Sequence, residues 1–165
     1  NRLVSALLEF ARPGELRRAT TALAPLLHSA AESALATAEE GAPTRVDVEV
    51  APDSLSAAVD GEMLRRAVVN LLVNALASPG CTRVTVSAIL ADSALEVAVR
   101  DDGPGVPEAA RAKLFAPFFT TRPTGTGLGL AIVRNVAHAH GGTVTYADTP
   151  GGGATFTLRL PREGA

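Results

Sequence analysis

Between Asp101 and Gly127 the chain carries four glycines and four prolines and keeps no hydrophobic period. Irregular segments of this length inside a compact domain are usually lids or binding loops. The segments on either side are strongly patterned. Pro25 to about Ala38 repeats apolar residues at helical spacing through Leu26, Leu27, Ala30, Ala31, Ala34 and Leu35. "GAPT" breaks that helix, and "RVDVEV" (Arg45 to Val50) alternates with period two, as a half-buried strand does. A short strand is expected around Ala57 to Val59, then a helix from Gly61 to about Ala77 with Asp60 as its N-cap. "TRVTVSAIL" and "ALEVAVR" form a hairpin across Ala91-Asp92-Ser93. Beyond the loop come a helix from Leu128 to about Ala139 and two strands, "GGTVTYAD" and "GATFTLRL". Helix and antiparallel strand mix without regular alternation, which predicts an α+β two-layer sandwich.

The chain has 165 residues, enough for one domain with a full core. With 47% hydrophobic and 19% charged residues it is globular in composition, and a net charge of −2 gives no reason to expect a nucleic-acid surface. Cys81 alone allows neither a disulfide framework nor a cysteine metal cluster, and no run approaches the ~18 apolar residues of a membrane span. The chain opens at Asn1, without Met, on "NRLVSALLEFARP", whose helical spacing stops at Pro13. It reads as a fragment cut from a longer protein.

Three stretches carry chemistry. On the Gly61 helix an apolar stripe (Leu64, Ala67, Val68, Leu71, Leu72, Ala75) is bordered by Asn70 and Asn74, one turn apart. A buried unpaired amide costs roughly 1–3 kcal/mol, so both need partners. Loop capping or water would satisfy them; an Asn carbonyl is equally a neutral oxygen ligand for Mg²⁺ whose other ligands are phosphates. "RDDGPGVP" follows a strand directly, so Asp101 offers a fixed carboxylate able to accept from an exocyclic amine such as that of adenine. An ordinary Asp-Gly turn reads the same way. "TGTGLGLAIV" places Gly125, Gly127 and Gly129 at the entry to a helix, where backbone N–H groups favour phosphate. It is neither a Walker loop nor a good Rossmann fingerprint, and a glycine-rich helix entry without a ligand remains open.

Order and spacing bring these together. The Asn-pair helix, Asp-x-Gly-x-Gly, "LFAPFF", Gly-x-Gly-x-Gly and a final "GGGATFTLRLP" resemble, from about Leu23 to Pro161, the catalytic ATP-binding domain of bacterial sensor histidine kinases in the GHKL superfamily. "PFFTTRPTGTGLGL" and "AHAHGG" look most like the nitrogen-regulator type. The resemblance implies a Bergerat-type sandwich, with a mixed, mostly antiparallel sheet and helices on one face. Residues 1–13 would end the dimerisation and phosphoacceptor helix, and 14–165 would form the catalytic domain.

By the family pattern Asn74 would ligate Mg²⁺ on ATP, and Asn70 would face the phosphate end. Asp101 would bind the adenine amino group, through a water shared with Thr155. Gly103 and Gly105 would shape the adenine side; Gly125, Thr126, Gly127, Leu128 and Gly129 would hold the phosphates, and Asp102 to about Thr126 would form the lid. Phe115, Phe118 and Phe119 look like the lid's apolar anchor, or ordinary core. ATP-hydrolysing branches such as DNA gyrase carry a Glu base where this chain has Asn70, so the γ-phosphate would be kept for another nucleophile. Arg122 is either an exposed loop cation or within reach of that phosphate.

Implied partners are the dimerisation domain of the same protein, as a homodimer, and a response regulator. The implied location is cytoplasmic, whether or not the parent is membrane-anchored, with no membrane contact from this fragment. The family's acceptor histidine is not found: His28 lies on a helix, and His138 and His140 sit where "HGG" predicts a helix stop. "ALASPG" after Asn74 lacks the Lys and aromatic pair of many members. A conformational-clamp ATPase and a degenerate nucleotide-binding module are the alternatives.

Overall fold

The computed structural model describes residues 15–38, 45–123 and 125–162. The helix expected over residues 1–13 and the break at 41–44 lie outside them. In chain order the elements are β1 (Ala19–Ala22), α1 (Leu23–Leu35), β2 (Arg45–Ala51), β3 (Ser56–Val59), α2 (Gly61–Leu76), β4 (Arg83–Ala91), β5 (Ala94–Asp101), α3 (Glu108–Arg111), α4 (Gly129–Ala139), β6 (Thr143–Asp148) and β7 (Ala154–Pro161). Five strands form one sheet in the order β2-β4-β5-β7-β6, while β1 and β3 pair as a separate antiparallel ribbon. Only β2–β4 is parallel; the other three pairs are antiparallel. The α+β expectation therefore holds.

Register divides the sheet into two faces. Val86, Val99 and Phe156 share a cross-strand row and are buried, as are Val84, Val97 and Leu158. The neighbouring row, Thr85, Arg100, Thr155 and Ala147, points the other way. Helices cover the apolar face, with α2 packed between α1 and α4. Leu64, Ala67, Val68, Leu71, Leu72 and Ala75 form the buried stripe of α2, as its spacing predicts. Each large aliphatic side chain removed from water there stabilises the fold by roughly 1.5–3 kcal/mol.

The two helices that matter for the site are well terminated. Asp60 caps α2, its Oδ1 accepting from Met63 N at 3.0 Å, and Glu62 complements the dipole in the first turn. At the far end of α4, Gly141 takes φ +73°. Gly142 N then donates to Ala137 O and Gly141 N to His138 O, the Schellman stop that "HGG" predicts. His140 is fully buried at this junction: Asp60 N donates to its Nε2 at 3.0 Å, and Arg18 donates to its carbonyl at 2.9 Å. Arg17 N donates to Asp60 Oδ2, so the chain entering β1 is tied to the start of α2 and the end of α4.

Candidate functional site

The last turns of α2, the end of β5, the first turn of α4 and the start of β7 surround a cavity of about 620 Å³, and the 103–127 loop crosses it. Its walls include Asn70, Asn74, Asp101, Gly105, Gly125, Thr126, Gly127 and Gly129, so residues from all three sequence stretches meet.

Asp101 pairs with Val84 in the sheet and so faces the helix layer, nearly buried. Its Oδ1 accepts from Gly103 N at 2.9 Å and Ala154 N at 3.4 Å, and the Ser78 hydroxyl also bonds it. Burial pushes its carboxyl above the ordinary range, against the pull of those bonds. Asp102 has the opposite surroundings. It lies at the surface and accepts from Thr82 Oγ1, Arg83 N and Thr82 N, which hold its carboxyl well below the usual range. These bonds clamp the end of β5 to the start of β4 and fix the direction of Asp101. Behind Asp101, Gly153 takes φ +109°, and a Cβ there would lie 1.9 Å from Asp101 O. Only glycine fits that approach.

On α2, Asn70 donates from Nδ2 to Arg66 O at 3.0 Å, and its Oδ1 looks toward Gly129 at the start of α4. Asn74, one turn on, accepts from Arg122 at both its main-chain carbonyl (3.0 Å) and its Oδ1. The loop is rooted by a cluster that sequence reading missed. Arg111 ion-pairs with Asp148 at 2.8 Å and lies over the Tyr146 ring, while Tyr146 OH donates to Asp148 and accepts from Val106 N. Phe115 packs edge-on to Phe156, and Phe119 lines the cavity. Phe118 does not act as an anchor: it is 60% exposed at φ +64°, its backbone pressed against Gly127.

Three expected residues are not brought to the cavity wall. Thr155 points to the opposite face of the sheet, where its hydroxyl bonds Thr149 Oγ1 at 2.8 Å; Ala154 lines the cavity in its place. Leu128 is fully buried in the core. Gly103 acts through its N–H on Asp101 rather than as wall. Ser78 was missed, although its place four residues after Asn74, in "ALASPG", puts it one turn beyond that side chain.

A neutral hard oxygen, a buried carboxylate and a glycine-lined helix entry around one cavity define a nucleotide-binding domain. Residues 59–164 match the family of histidine kinase-, DNA gyrase B- and HSP90-like ATPases, and the chain belongs to that family. Among sensor kinases it is 34% identical to the signal transduction histidine-protein kinase AtoS of Escherichia coli K12, over 98% of this chain and 27% of AtoS. It is 44% identical to the sensor-type kinase PrrB of Mycobacterium tuberculosis H37Rv, over 59% of this chain and 23% of PrrB. The crystal structure of full-length ShkA in complex with AMPPNP superposes with a TM-score of 0.85 at 32% identity, over 98% of this chain and 35% of that one. The domain is thus homologous to the ATP-binding catalytic domains of sensor histidine kinases, and it spans about a quarter to a third of the curated relatives' length. No helix among the described residues is long and apolar enough to cross a membrane.

Proposed function

We propose that this chain is the catalytic domain (14–165) of a two-component sensor histidine kinase. It positions ATP for transfer of the γ-phosphate to a histidine on a dimerisation domain, of which residues 1–13 are the end. From there the phosphoryl group would pass to a response-regulator aspartate. The parent would be a homodimer with this domain in the cytoplasm; "PFFTTRPTGTGLGL" supports the nitrogen-regulator type. The observation that carries the reading is the convergence of Asn74, Asp101 and the Gly125–Gly129 helix entry on one cavity.

Asp101 would accept a hydrogen bond from the adenine amino group, its carboxylate held in place by Gly103 N and Ser78. Amides at the start of α4 would meet the phosphates, and Asn74 Oδ1 would take Mg²⁺. A single neutral Asn oxygen from the protein suits an ion whose other ligands are phosphates and water. When bound, Mg²⁺ neutralises phosphate charge. Asn70 supports transfer over hydrolysis. Its amide is engaged with Arg66 O and cannot take a proton from water.

A purified dimerisation domain carrying the acceptor histidine, incubated with this chain and γ-labelled Mg·ATP, should become labelled. Asn74→Ala and Asp101→Asn should each lower the rate about tenfold to a hundredfold, as expected for loss of a charge-assisted contact. Unchanged labelling removes those roles. Steady hydrolysis in the absence of acceptor would instead favour the clamp ATPase.

A further inference from the structure

Arg122 occupies the place where a cation is wanted. Its Nη2 donates to both oxygens of Asn74, including the Oδ1 assigned above to Mg²⁺. None of the ion pairs among the described residues includes Arg122. It is half-buried, and burial lowers its pKa while the charge of Asp101 opposes the shift. A guanidinium placed against neutral carbonyl oxygens is weakly compensated for the water it has lost.

Its direction is built into the loop. Thr120 Oγ1 accepts from Arg122 N at 3.0 Å and donates to Arg122 O at 3.2 Å; Gly125 N donates to the same carbonyl at 3.2 Å. A Cβ on Gly125 would come within 2.3 Å of Thr120 Oγ1. These bonds tie Arg122 to Thr120 and Gly125, and the arginine lines the cavity.

We propose that Arg122 is an internal place-holder for the metal. Without nucleotide it caps Asn74 and holds the loop across the cavity, and Mg·nucleotide enters by displacing it. A ligand oxygen engaged by a guanidinium is not free for Mg²⁺, so the two compete for one side chain. This rests on the reading of Asn74 as the Mg²⁺ ligand. Its consequence runs against simple Coulomb reasoning. Deleting a positive charge beside a phosphate site ordinarily weakens polyphosphate binding; here it should strengthen binding of the metal complex.

The test is calorimetric titration of ADP, which has no γ-phosphate, in Mg²⁺ and in EDTA. It uses the wild-type chain, Arg122→Ala, Arg122→Gln and Arg122→Lys, with melting curves to confirm that each variant is folded. Arg122→Ala and Arg122→Gln should bind Mg·ADP about fivefold more tightly than wild type, the size of one partly exposed charge-assisted bond. Any gain for metal-free ADP should be smaller, since no ion then competes for Asn74, and Arg122→Lys should fall between. Exchange of the Gly125 amide in the nucleotide-free chain should quicken in Arg122→Ala. Equal or weaker Mg·ADP binding by both neutral variants overturns the place-holder. If wild-type binding is indifferent to Mg²⁺ and to Asn74→Ala, the metal reading itself falls, and the place-holder with it.

Discussion

Asp101 and Asp102 are adjacent carboxylates with opposite chemistry, because a strand turns successive side chains to opposite faces. One is buried among helices and costs the folded state its hydration. The other is exposed and held by three donors. Since burial raises the Asp101 pKa, its ionised form disfavours folding at neutral pH. Asp101→Asn should therefore melt at the same or a higher temperature than wild type while ADP affinity drops at least about tenfold; calorimetric scanning and titration read the two effects separately. A lower melting temperature would place the residue in the scaffold instead. At this scale the Asn pair and the glycine boxes were legible because their spacing encodes backbone shape. Thr155 was not: the family resemblance alone implies it, and a one-residue slip in a strand reverses its face, which brings Ala154 to the cavity instead. Ser78 was hidden because its role depends on a carboxylate that only the fold brings near.

Among elements, the junction of α2 and α4 deserves a direct measurement. Asp60 caps α2 through Met63 N and also accepts from Arg17 N. Burial raises its carboxyl pKa, and the donated bonds more than offset that, leaving it lowered. Asp60→Ala should cost about 1–2 kcal/mol, seen as a lower urea midpoint with an unchanged m-value. An unshifted midpoint would mean that the cap contributes nothing. Asp60 was readable as a cap and "HGG" as a stop, since both are local chemistry. The β1 strand was not readable, because "ATTA" is too short to show a period and is strand only through its pairing with β3. Nor was the parallel placement of β2, which depends on a crossover through β3 and α2. The segment from Asp101 to Gly127 is legible as irregular, but the Arg111–Tyr146–Asp148 root joins groups from different elements and leaves no trace in either stretch.

For the whole molecule, His140 sets an acid limit. Burial holds its imidazole below the ordinary 6.5, with the Arg18 charge pushing the same way and Val136 O and Asp60 opposing. The neutral ring accepts from Asp60 N, so its Nδ1–H faces Val136 O. The folded state thus binds a proton less readily than the unfolded one. Stability is complete above about pH 6.5 and declines as pH falls from there toward the folded pKa. Asp102 and Asp148, both lowered by hydrogen bonds, give way only in stronger acid, below the ordinary carboxylate range. Melting temperature should fall between pH 7 and pH 5.5 in wild type and less steeply in His140→Gln, which keeps an acceptor for Asp60 N; identical slopes would clear His140 of the effect. The cavity adds a consequence of its own. Its walls meet through contacts such as Arg122 with Asn74 and Ala154 with Asp101, 48 and 53 residues apart in the chain. Anything lodged there acts as a removable crosslink, closing in the folded state loops that the unfolded chain leaves open. Occupancy and folding are then linked, and each increment in bound ligand raises the free energy needed to unravel the chain.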